Sequence, residues 1–140
     1  MRDRSFLSVI EQVVMVLVFA LAAALCLRAF VFADQVSRSC EERDRAVLSV
    51  QSAAETVKHF RGDLERAAGQ LGGTVHDGVL LVRYDADWQI AEADGVFVLS
   101  VGTIDSGDDL LGCAAVCVRD NDGNEIFSVN VYWQEVGGNG

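Results

Sequence analysis

The sequence predicts an α+β fold, in which a long N-terminal helix packs on a small antiparallel sheet of about four strands. Three observations lead there. Val13 to Leu27, VVMVLVFALAAALCL, carries no charged side chain. After it, residues 34–71 keep a helical period while turning amphipathic. Beyond Gly73 the pattern changes to short alternating runs separated by Gly, Asp and Asn, the grammar of strands and tight turns. The domain plan is an N-terminal stub and transmembrane helix over 1–33, a helical stalk over 34–71 with a break near 62, and an acidic sheet domain over 72–140.

Leu7 to Phe32 would be about 39 Å long as a helix, against a hydrocarbon core of about 30 Å. A soluble helix of that length would carry a polar stripe, and none runs through Val13–Leu27. A cleaved secretory signal would use the small residues Ala20-Leu21-Ala22, but the apolar character continues past them to Ala33. A lipoprotein signal ending at Cys26 would need a small residue before it, where Leu25 stands. A single-pass anchor fits the segment. Arg2 and Arg4 precede it, so the positive-inside bias places the N-terminus in the cytoplasm and the remaining chain outside.

In the stalk, Val47, Val50, Ala54, Val57, Phe60, Leu64, Ala68 and Leu71 recur at three- and four-residue steps. Arg61-Gly62-Asp63 interrupts the stripe. The triplet spells an integrin-recognition sequence, but its reading here is a helix break, with Gly62 ending one helix and Asp63 capping the next. Leu71-Gly72-Gly73 closes that short second helix.

Thr74–His76, the turn Asp77-Gly78 and Val79–Tyr84 form a predicted hairpin. Val96–Ile104, Leu110–Arg119 and Glu125–Trp133 follow as strands of an antiparallel meander, with Ser106–Asp109 and Asp120–Asn124 as loops. Gly137-Gly138-Asn139-Gly140 is expected to be a flexible tail.

The formal net charge of −10 is unevenly spread over the 140 residues. Residues 72–140 hold Arg83 and Arg119 as their only cations, against twelve acids. Such a domain lacks the clustered Lys and Arg that nucleic-acid phosphates require, so nucleic acid is not an expected partner. Cys113 and Cys117 would lie about 13 Å apart on one strand face, too far for a disulfide with each other. A link from Cys40 to the sheet stays open beside the simpler reading of buried thiols. The four cysteines and two histidines have no metal-ligand spacing, and neither a nucleophile elbow nor a phosphate-binding loop is present. An enzyme is not expected, nor is a cofactor.

Leu7-Ser8-Val9-Ile10-Glu11, followed by the apolar run, resembles the N-terminus of type IV pilins and pseudopilins. Members of that family carry Gly, a cleavage point, four mostly apolar residues, Glu at the fifth mature position and a long hydrophobic helix. The resemblance makes Leu7 the first mature residue, Ser8 the small polar second and Glu11 the fifth. Phe6 stands where the family has the Gly that its peptidase requires. A long helix laid on a small antiparallel sheet is also the pilin arrangement.

The resemblance implies a membrane-anchored structural subunit of a type IV pilus, type II secretion or competence apparatus. Its partners would be the membrane, other pilin-like subunits and the assembly machinery. Glu11 would pair with the N-terminal amine of a neighbouring subunit. Because some pseudopilins bind calcium in a sheet loop, Asp120, Asp122 and Glu125 are weak calcium candidates, although their spacing is not that of an EF-hand. The alternative is a stand-alone surface-binding or sensor module on the same single-pass anchor.

Overall fold

Helix α1 runs Arg2–His59 over 58 residues, and a second helix, α2, occupies Leu64–Leu71. Five strands follow: β1 Thr74–His76, β2 Val79–Tyr84, β3 Phe97–Ile104, β4 Leu111–Asp120 and β5 Glu125–Gln134. The computed structural model describes residues 2–108 and 110–135. Asp109 and the glycine-rich tail expected at 137–140 lie outside the described residues. The chain divides into two compact units, Met1–Glu41 and Glu42–Gly140.

In the first unit every described side chain is exposed. Among the described residues, α1 is the one helix long and apolar enough to cross a membrane. In the second unit the Glu42–His59 part of α1 and the whole of α2 pack on one face of an antiparallel sheet of order β1-β2-β3-β4-β5. The fold class is the one the sequence predicts. The fifth strand is Thr74–His76, three residues that pair with Val79–Leu81 across the Asp77-Gly78 turn. Asp77 and Gly78 both take positive φ, 51° and 78°, as the favoured two-residue hairpin turn requires.

The sheet's register places the core. Leu80, Val101 and Val116 stand opposite one another across β2, β3 and β4, as do Val82, Leu99 and Val118. All six are almost fully buried beneath the helices. Each such side chain contributes about 1.5–3 kcal/mol relative to exposure. The opposite face carries Leu81, Ser100, Cys117 and Ser128 in one row, and Val79, Gly102, Ala115 and Asn130 in the next.

The helical stripe is rotated from the expected one. Ala46, Val50, Ala53 and Val57 are buried, whereas Val47 and Ala54 are half-buried at its flank. Small Ala46 and Ala53 let the helix backbone approach the sheet, with larger side chains filling the edges. Tyr84 adds a polar tie, its phenol sharing a hydrogen bond with Ser49; burial pushes the phenol's pKa up and Ser49 partly offsets this.

The break near 62 is a left-handed helix stop. Arg61 N–H donates to Lys58 O at 3.1 Å and Gly62 N–H to Val57 O at 2.9 Å, the paired bonds of a Schellman motif. The residue at its left-handed position is Arg61, φ 51°, with Gly62 following at φ 82°. Asp63 then caps α2, accepting from Arg66 N–H at 3.1 Å, and Gly72 ends it at φ 69°.

Candidate functional site

Glu11 sits in the continuous helix α1 and is exposed. One turn to either side lie Leu7, Ser8, Val14 and Met15, none of which can neutralise a carboxylate. Phe6 and Leu7 are likewise helical, at 68% and 64% exposure. The bond between them therefore lies inside a regular helix, and a peptidase that reads extended chain would have to unwind it first.

The apolar side chains around Glu11 are uncovered. Phe19 is 78% exposed and Phe30 75%, so the helix offers lipid or another helix a surface apolar on all sides. A carboxylate on such a surface is costly once water is removed, and it then demands a counter-charge or a strong donor. Along the helix the cations to either side of Glu11 are Arg4, about two turns before it, and Arg28, over four turns after it.

In the second sequence candidate, the β4–β5 turn, the carboxylates of Asp120 and Glu125 accept from protein donors, while Asp122 is exposed. Asp120 Oδ1 accepts from Asn124 N–H at 2.8 Å, and Oδ2 accepts from the Asn124 amide at 3.0 Å. The Asn124 side chain, then its backbone N–H, hold the Asp120 carboxyl below its ordinary pKa. Glu125 accepts from Ser128 Oγ at 2.5 Å and from Cys117 Sγ at 3.5 Å, and the Ser128 bond does most to lower its pKa. Asp120 and Glu125 thus share a hairpin but serve different partners. Among the described residues no group of three or more His, Cys, Asp or Glu is placed to hold a metal ion.

All four cysteines are unbridged. Cys113 and Cys117 are buried on the sheet face away from the helices, while Cys26 and Cys40 are exposed. Burial first, and then the bond to Glu125, raise the pKa of Cys117, which is the opposite of an activated thiol.

Two features have no counterpart in the sequence reading. Trp133 lies over Gly112 and against Gly62, and a Cβ at either glycine would collide with the indole. At the other end of the core, Trp88 stacks on Phe97 with ring centroids 4.4 Å apart, and Tyr84 tilts against Trp88 at 5.7 Å. Aromatic content alone signals neither: Trp133 meets glycines distant in sequence, and the nearer Tyr84, Trp88 and Phe97 are brought together by the loop between β2 and β3. Comparison with known proteins gives no match among family models, curated proteins or solved structures.

Proposed function

We propose that this chain is a membrane-anchored, pilin-like structural subunit that works by side-by-side packing of its N-terminal helix with those of neighbouring subunits. The observation that carries the reading is the surface of α1 from Phe6 to Ala33. It is apolar, exposed throughout and interrupted near its start by one carboxylate, Glu11, without a cation on the adjacent turns. Lipid alone would cover the apolar side chains; it would not satisfy Glu11. A neighbouring subunit that brings an amine or a basic side chain to Glu11 satisfies both. The acidic sheet domain then faces away from the cytoplasm, with Arg2 and Arg4 inside. The role is non-enzymatic, and the apparatus is of the pilus, type II secretion or competence kind.

A second reading keeps the anchor and drops assembly, making the sheet domain a stand-alone surface-binding or sensor module. Phe6 in the place of Gly, and the helical Phe6–Leu7 bond, favour it. Cross-linking in native membranes separates the two. Assembly requires adducts between α1 and the apolar helices of other chains, together with digestion of residues 42–140 by protease added to intact protoplasts. Monomeric α1 under the same conditions would leave the stand-alone module.

A further inference from the structure

The two edges of the sheet are unlike. Edge strand β1 has three residues, too short to template another strand. Edge strand β5 has ten, Glu125–Gln134, with no Pro, Lys or Arg among them. Native edges are commonly blunted by shortness, Lys, Pro or a bulge, and β5 has only a register shift near its start, at Val118/Arg119. Among the described residues, the outward backbone groups of residues 126–134 meet no backbone partner.

Acidic groups flank this open row at both ends. Asp120, Asp122 and Glu125 surround its beginning. At its end Asp105, Asp108 and Glu135 line a hollow of about 290 Å³ that Trp133 also borders. The charge argues against a second copy as occupant. Antiparallel β5–β5 pairing would bring the acidic start of each strand against the acidic end of the other, and like charges set opposite one another are destabilising. The side chains beside the open row are suited to contact as well. Val129, 37% exposed, lies on the helix-bearing face and Tyr132, 53% exposed, on the opposite one.

We propose that β5 is a docking edge for an extended segment of a partner protein, which adds as a sixth strand and carries Lys or Arg at both ends of a stretch of β-branched residues. Main-chain bonds to β5 supply the affinity, the acidic ends set the register, and Val129 and Tyr132 select apolar side chains at alternate positions. This role concerns the sheet domain alone and goes beyond the packing of α1.

The probe is a synthetic peptide of alternating Thr and Val with a Lys pair at each end, titrated into the full chain in nanodiscs of zwitterionic lipid. It should bind in a salt-sensitive manner and slow amide exchange within residues 126–134. Three comparisons follow: a Glu-flanked peptide, a peptide N-methylated at alternate residues, and the variants Asn130→Lys and Tyr132→Lys, two exposed positions whose melting temperatures report intact folding. The Glu-flanked and N-methylated peptides should each bind about tenfold or more weakly, and the two variants about fivefold or more weakly. Equal binding of the N-methylated peptide would mean charge attraction alone and overturn the proposal. So would undiminished binding by both variants, absence of binding by the Lys-flanked peptide, or a β5-mediated dimer forming without peptide.

Discussion

Trp133 of β5 is packed against Gly62, the residue at which the chain turns from α1 into α2, so that an added Cβ there would meet the indole ring. The same indole covers Gly112, its direct neighbour on β4. Two glycines distant in sequence thus make room for one aromatic ring, which joins the helix break to the last strand. Among the described residues the buried indole N–H meets no hydrogen-bond acceptor, and the ring is packed against Gly62 and Gly112.

Gly62→Ala and Gly112→Ala are therefore both expected to destabilise the sheet domain. Overpacking costs about 1–3 kcal/mol. At Gly62 the positive φ of 82° adds strain for any side chain. Thermal melts of the two variants should show reduced midpoints, with Trp133→Phe partly rescuing Gly112→Ala. Unchanged midpoints would mean that the ring moves aside freely.

Much of this architecture is legible in the sequence. Asp63 and Gly72 bound α2 as their types suggest, and Asp77-Gly78 makes the tight turn. In β3 Ser100 and Gly102 alternate with the inward Leu99 and Val101, because a strand covered on one face repeats every two residues, whereas the continuous apolar run Val79–Val82 of β2 carries no such signal. The helical stripe was less legible. Ala46 and Ala53 give little apolar signal, yet proximity to the sheet selects them over Val47 and Ala54. The Trp133 contacts and the Cys117–Glu125 bond depend on strand register and on the meeting of distant segments, which no local pattern encodes. Of the candidate sites, Glu11 was visible as one acid bordering an apolar run, whereas the use of Asp120 by Asn124 required the turn geometry.

The two apolar surfaces should respond differently to truncation. Leu99 is fully buried between the helices and the sheet, and Leu99→Ala should cost about 2–5 kcal/mol. Leu25 is 66% exposed in α1, and Leu25→Ala should leave the melting of the sheet domain unchanged. A shared loss of melting temperature would mean that α1 upstream of Glu42 contributes to the sheet domain's stability.

The β4–β5 turn gives a pH dependence of defined sign. The carboxyls of Asp120 and Glu125 both have pKa values lowered by folding, so their contribution is present above the unfolded values and lost as pH falls through the folded ones. Amide exchange of Asn124 should accelerate as pH drops below about 4, after correction for intrinsic rates. Asp120→Asn should flatten that response. A chelator at neutral pH should leave the melting temperature unchanged, because these carboxylates already have protein donors; a fall would point to calcium held at Asp120, Asp122 and Glu125.

The most direct test of the assembly role is co-purification of tagged wild-type, Glu11→Asp and Glu11→Ala chains from native membranes, with the intact mass of each chain measured. The mass reports whether the chain begins at Leu7, which decides whether the counter-charge is a new amine or a basic side chain. All three chains should insert into the membrane. Wild type should recover partner subunits, Glu11→Asp should recover them in part, and Glu11→Ala should recover about tenfold less or worse, since an unpaired buried charge on the partner costs several kcal/mol. Equal recovery by Glu11→Ala would contradict the account and leave α1 as a plain anchor.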